Sequence, residues 1–200
     1  MLSQNPKSSV ITSTGDTQLL KTLIEKAKGG DSHAFGVIYS ELYTPLYRYV
    51  YSRTHHREQT EDICQQVFLR FYEALPRYEY RENDRSILAY LFTIAKRLVI
   101  NEGVKKQSVT IDEDIFVTVE DEGVDIISEV HIQHLAERIN EYLPLLTETE
   151  QEVLRLVYYA ELSHKEVGLV LEKEEAYIRK LKERALLKLR TATKHLHENL

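Results

Sequence analysis

Apolar positions recur at helical spacing along most of the chain, and short polar or glycine breaks divide them into segments. From Asp16, the residues Leu19, Leu20, Leu23, Ile24 and Ala27 form one stripe that Gly29-Gly30 ends. Asp31 or Ser32 can cap the next helix, whose apolar face reads Phe35, Ile38 and Leu42. Thr44-Pro45 reads either as an N-cap followed by Pro at the first helical position or as a kink, with Leu46, Tyr49 and Val50 continuing beyond it. A polar break from Ser52 to Gln59 leads into TEDICQQVFLRFYEAL, where Ile63, Val67, Phe71 and Ala74 share a stripe with Phe68 and Leu75 beside it. Pro76 to Asp84 predicts a loop rich in Tyr and charge. The most regular helix follows, carrying Ile87, Leu88, Leu91, Ile94, Ala95, Leu98 and Val99, and ends near Gly103.

The second half has its own punctuation. Thr147 with Glu150, and Ser163 with Glu166, are capping-box pairs and mark two helix starts. A short helix from Ser163, a break near Leu171–Glu174 and a longer helix to about Arg190 give helix-turn-helix spacing. No strand pattern competes. The fold class expected is all-α: a flexible N-terminus over 1–15, a helical domain over 16–106, an acidic linker over 107–130 and a second helical domain over 131–200.

Charge changes the picture in one place. The formal net charge is −6, which suits a nucleic-acid binder poorly. Between Ser108 and Val130, however, stand Asp112, Glu113, Asp114, Glu120, Asp121, Glu122, Asp125 and Glu129 with no Lys or Arg. That segment carries about −8, so the rest of the chain sums to about +2. No apolar run is long enough to span a bilayer, and the first residues lack a secretory pattern. Cys64 is the sole cysteine, which excludes an internal disulfide and a cysteine-cluster metal site, so a cytoplasmic location is expected. His131 with His134, and His195 with His197, lack ligand companions, while His55-His56 sit in a polar break. With no phosphate-cradling glycine loop and no nucleophile motif, neither an enzyme nor a cofactor nor a bound metal is expected.

Several of these segments occur in a telling order. AFGVIYSELYTPLYRYVYSRT, then TEDICQQVFLRFYEAL, then ILAYLFTIAKRLVINEGVKK, resembles the sigma-two domain of bacterial RNA polymerase sigma factors. TETEQEVLRLVYYAELSHKEVGLVL followed by YIRKLKERALLKLR resembles their sigma-four domain, and the short span between the two matches the extracytoplasmic-function (ECF) group of the sigma-70 family. The resemblance implies binding to core RNA polymerase, through its clamp helices and flap, and to promoter DNA, with an anti-sigma factor as a further partner. By that resemblance Glu61, Asp62, Gln65, Gln66 and Arg70 would meet polymerase, on the side of their helix away from Ile63, Val67 and Phe71. Tyr78, Tyr80, Asn83, Arg85, Tyr90, Lys96, Arg97, Lys105 and Lys106 would melt and hold the minus-ten element, aromatic faces stacking on bases and cations following phosphate. Family members commonly carry Trp where Tyr90 stands and Asn where Arg97 stands, so the base preference does not transfer.

In the second domain Glu174, Glu175, Ala176, Tyr177, Arg179 and Lys180 would open the helix that enters the major groove of the minus-thirty-five element, with Lys182 and Arg184 beyond them on phosphate. Carboxylates at 174 and 175 suit a helix start but repel phosphate. The acidic segment, by the resemblance, would pass through the polymerase's positively charged channel as a nucleic-acid mimic. Two other readings stay open: a free-standing helix-turn-helix regulator, and a diverged sigma-like protein-interaction module that occupies polymerase without reading promoters.

Overall fold

The computed structural model describes residues 14–78, 87–105 and 142–197, and every regular element within them is helical. In chain order these are α1 (Thr14–Lys28), α2 (Ser32–Thr54), α3 (Arg57–Ala74), α4 (Ile87–Lys105), α5 (Glu148–Tyr158), α6 (His164–Leu171) and α7 (Glu175–His197). Single 3₁₀ turns stand at Leu75–Arg77 and Leu143–Leu145. The expected N-terminal segment 1–13, acidic linker 107–130 and residues 131–141 lie outside the described residues.

Local chemistry explains most boundaries. Gly30, at φ 89°, turns the chain out of α1, and Asp31 rather than Ser32 caps α2, its carboxylate accepting from the His33 and Ala34 N–H groups at 3.0 and 3.1 Å. Pro45 lies inside α2, so Thr44 starts no new helix. The stripe Ala34, Ile38, Leu42, Leu46, Tyr49 and Val50 runs in register across it, and burying those side chains outweighs the roughly 3 kcal/mol an interior Pro costs. The polar break is shorter than its composition suggests. His55 closes α2 in the left-handed region (φ 50°), and His56 caps α3, its Nδ1 accepting from the Gln59 N–H at 3.3 Å.

Helices α1 to α4 pack as a bundle, α2 at its centre against the other three. Tyr49, Phe71 and Phe92 are its largest fully buried side chains, with the Tyr49 and Phe92 rings edge to face at 5.5 Å. Helices α5 to α7 form the second unit. Both capping boxes are present, at Thr147–Glu150 and Ser163–Glu166. The turn between α6 and α7 closes when Glu172 adopts a left-handed conformation (φ 55°) and the Lys173 N–H bonds the Gly168 carbonyl at 2.9 Å. A Cβ on residue 168 would stand 2.6 Å from the Lys173 carbonyl oxygen, so only glycine fits this helix-turn-helix corner.

The two units share one core. Helix α6 packs on α4, α5 touches α2, and Val153, Leu156, Val167, Val170 and Ile178 belong to the same buried cluster as Tyr49 and Phe92. A small separate cluster of Leu146, Leu154 and Ala185 pins α7 to α5.

Candidate polymerase and nucleic-acid interfaces

Helix α3 is two-faced. Thr60, Ile63, Cys64, Val67, Phe68 and Phe71 are buried, while Asp62, Gln65, Gln66 and Arg70 are exposed on the far side. Glu61 is half-buried and held by its own helix, accepting from Arg57 Nε at 2.8 Å. Sequence reasoning missed Leu69 and Tyr72, which stand in this polar face at 58% and 54% exposure. Such apolar area among polar neighbours is what a docking surface offers.

Beside α3 runs a ridge that the sequence also carried, in the four-residue spacing of Phe35, Tyr39, Tyr43, Tyr47 and Tyr51. Successive tyrosine rings lie 5.4, 5.9 and 6.0 Å apart, and Tyr39 meets Phe68 of α3 at 4.4 Å. Burial, with a smaller push from Cys64, raises the Tyr43 hydroxyl to about 12, and burial raises the Cys64 thiol to about 12 as well.

The minus-ten candidates are only partly described. Tyr80, Asn83, Arg85 and Lys106 lie outside the described residues. Tyr78 is buried with its ring 5.8 Å from that of half-buried Tyr90, so the two tyrosines lean on each other. On α4, Lys96 is half-buried, Arg97 is exposed, and Lys105 is the last residue of the helix. Phe92 is core.

The start of α7 faces solvent. Glu174, Glu175, Ala176, Tyr177, Arg179 and Lys180 are exposed, while Ile178, Leu181 and Ala185 anchor the helix from beneath. The next cations behave differently. Lys182 Nζ lies 3.3 Å from His164 Nε2 and 5.8 Å above the Tyr158 ring. Arg184 Nε donates to Glu150 at 2.6 Å and Lys188 Nζ at 2.8 Å. Glu150 is fully buried and also accepts from the Thr147 N–H and hydroxyl at 2.9 and 3.0 Å. Burial alone would raise its carboxyl, but the hydrogen bonds from Lys188, the Thr147 backbone and Arg184 bring it down to about 2. Arg184, expected on phosphate, thus also fastens α7 to α5. The capping role of Glu150 was legible; its grip on α7 depends on packing between helices far apart in sequence.

Among the described residues no group of three or more His, Cys, Asp or Glu side chains could hold a metal, and no helix is long and apolar enough to cross a membrane.

Among the described residues every element is helical, with one amphipathic helix, α3, exposed on its polar side and a helix-turn-helix, α6–α7, whose second helix begins at the surface: the class of multi-helical proteins that carry a helix-turn-helix unit. Residues 38–109 match Sigma-70 region 2 and residues 142–191 match Sigma-70, region 4, together more than half of the chain. The chain belongs to the sigma-70 family of RNA polymerase sigma factors, in its ECF group, whose members direct transcription initiation and are not enzymes. It is 28% identical over 179 residues to the ECF sigma factor BldN of Streptomyces coelicolor, a match covering 86% of this chain but only 64% of that relative. It is 27% identical over 154 residues to the ECF sigma factor SigM of Bacillus subtilis, covering 76% of this chain and 91% of SigM. Its fold is similar to that in a structure of CnrH in complex with the cytosolic domain of CnrY, with a TM-score of 0.62 at 19% identity over 88% of this chain and 97% of that one.

Proposed function

We propose that this chain binds core RNA polymerase and directs promoter-specific initiation, with α3 docking on the clamp helices and the start of α7 reading the minus-thirty-five element. One observation carries the reading: both faces are exposed at once, on units that separately match the two sigma regions. Asp62, Gln65, Gln66, Leu69 and Arg70 supply the polymerase face, and Glu61 adds charge at its edge. Arg97 and Tyr90 of α4, with Lys96 and Lys105, face the melted minus-ten strand, together with Tyr80, Asn83, Arg85 and Lys106 of the neighbouring segments. Tyr78 supports Tyr90. Arg179 and Lys180 contact the minus-thirty-five duplex, Tyr177 lies against base edges, and Arg184 divides its charge between Glu150 and phosphate. The second unit also meets the polymerase flap, and the acidic linker occupies the enzyme's basic channel. The partnered state of CnrH supports a holding protein for this chain too, an anti-sigma factor acting in the cytoplasm.

A second reading has a specific observation behind it. Glu174 and Glu175 both face solvent at the tip of α7, where they repel phosphate, which favours a sigma-like protein that occupies polymerase without reading promoters. In vitro transcription with cognate core polymerase on genomic fragments separates the two. New start sites sharing two spaced upstream elements are expected; polymerase binding with no new start site would transfer the case to the second reading.

A further inference from the structure

Two basic side chains meet across the helix-turn-helix. Lys182 is half-buried on α7, and its Nζ lies 3.3 Å from Nε2 of His164, the first residue of α6. The same ammonium stands 5.8 Å from the ring centroid of exposed Tyr158, at the end of α5. The acids closest along the chain are engaged elsewhere. Glu166 accepts from the Ser163 N–H and hydroxyl at 2.9 and 2.6 Å, and Glu161 from Arg48 at 3.3 Å. Among the described residues no carboxylate pairs with Lys182 or His164, and α4, which also packs on α6, contributes no bond to either. Lys165 follows His164 on its own helix, and Glu175 and Arg179 precede Lys182 on α7; all three are exposed.

An ammonium has donors and no acceptor, so the 3.3 Å contact is made by a neutral ring whose Nε2 lone pair accepts from Lys182. Protonating the ring there sets two cations against each other, which is disfavoured unless an anion joins them. Two nitrogens this close can share one phosphate, whose oxygens accept from charged donors at about 2.8 Å. The position of the pair says which phosphate. In a helix-turn-helix the second helix lies in the major groove while the first crosses the DNA backbone, and His164 opens that first helix. Lys182 stands three residues beyond Arg179, about 4.5 Å further along the exposed side of the reading helix.

We propose that His164 and Lys182 form a clamp for one backbone phosphate of the duplex read by α7, and that His164 takes up a proton as the phosphate binds. The proposal rests on the reading of α7 as a promoter-binding helix and adds to it a side chain and a proton. The proton comes from solvent. Nε2 stops accepting from Lys182 and, as N–H, donates to a phosphate oxygen, while Lys182 donates to the same group; no bond of the DNA changes. The complex then holds one proton more than the free chain. Affinity therefore rises as pH falls through the range where imidazoles titrate, by up to about tenfold per pH unit, and this gain is lost as pH rises.

The test uses the full chain assembled with core polymerase on a promoter fragment carrying both elements, with affinity read by fluorescence anisotropy from about pH 6 to 8 at constant salt. Comparison with His164→Gln cancels the pH response of polymerase itself. As pH falls across that range, the native complex is expected to gain about threefold or more over His164→Gln. Lys182→Gln should lose the same increment and lower the salt dependence by about one ion. On a fragment that ends downstream of the minus-thirty-five element the three proteins should behave alike. Coincident pH profiles for the native chain and His164→Gln would overturn the clamp, since a side chain that only packs or caps changes affinity equally at every pH. Nuclear magnetic resonance of the His164 ring, assigned by its loss in His164→Gln, separates promoter phosphate from free phosphate. A ring that responds to inorganic phosphate while the promoter profiles coincide is a free-anion site, and the DNA clamp falls. If the holoenzyme binds no promoter, the promoter-binding reading fails, and the ring decides the rest. Titration raised by inorganic phosphate in the native chain but not in Lys182→Gln supports the pair as a phosphate site; no response overturns it.

Discussion

Glu150, buried in α5, accepts a hydrogen bond from Arg184 of α7 at 2.6 Å, and Lys188 joins the same carboxylate at 2.8 Å. This pairing divides the basic side of α7. Arg179 and Lys180 stay free of it, near the tip, while cations one and two turns further on hold the helix in place. A single carboxylate thus caps α5, joins α5 to α7 and decides which cations of α7 are tied down.

Glu150→Gln should lower stability by about 1–3 kcal/mol, because two cations lose their counter-charge while their own exposure softens the loss. The pH dependence follows from the depressed carboxyl. Its contribution is fully present above the ordinary glutamate value of about 4.5 and fades as pH falls from there through about 2. Thermal melts between pH 2 and 7 should show a steeper acid loss for the native chain than for Glu150→Gln. Parallel acid limbs would show that the carboxylate is not the responsible group.

Gly168→Ala should disrupt the corner between α6 and α7, since its methyl would sit 2.6 Å from the Lys173 carbonyl oxygen, a backbone atom that cannot swing away. A loss of about 2 kcal/mol or more is expected, together with weaker minus-thirty-five binding. Gly36→Ala is the contrasting case, for its Cβ would meet nothing within 4 Å. There the substitution should be neutral or stabilising in chemical denaturation, because alanine is the better helix former.

On promoter DNA held with polymerase, Arg179→Ala and Lys180→Ala should weaken binding without changing the melting temperature. The salt dependence should fall by about one ion for each phosphate contact removed. Arg184→Ala should do both: lower the melting temperature and weaken binding. A clean binding defect in Arg184→Ala with unchanged stability would contradict its bond to Glu150.

Leu69→Asp places a charge where a leucine is 58% exposed, so the fold should tolerate it. If α3 docks on polymerase, affinity should fall at least tenfold, more than for Gln66→Ala at the rim. Titration of labelled chain with core polymerase reads this directly, and equal affinities would move the docking face elsewhere.

Cys64 should be inert to thiol reagents at pH 8 in the folded chain and react at once in denaturant, since it is fully buried with its thiol near 12. Rapid labelling under native conditions would mean that α3 opens locally.

Much of the fold was legible because it depends on local rules. The Thr147 and Ser163 capping boxes, the glycine stop after α1 and the apolar stripes of α3 and α4 each depend on residues within a few positions of one another. Legibility failed where a long-range gain overrode a local signal. Pro45 read as a possible helix start, yet burial on both sides of it carries α2 straight through. Ser52 to Gln59 read as a break of eight residues, but only His55 and His56 leave the helices, because one histidine turns left-handed and the other caps.

The candidate site divides along the same line. Arg179 and Arg97 were found in the sequence and stand exposed, because a residue opposite an apolar stripe needs only helical periodicity to be placed. Tyr78 was named as a free stacking face and is instead buried against Tyr90, a contact across the segment between them.

By itself the sequence determined the all-helical class, two sigma-like units and the exposed cations Arg97, Arg179 and Lys180, since periodicity and capping are written within a few residues. Only the tertiary structure decided that Glu150 holds Arg184, that Glu152 reaches Tyr49 and Arg53, and that the two units close on one core. Those depend on side chains about 34 to 103 positions apart meeting in a shared interior, and no local pattern encodes which distant partner a buried carboxylate will find.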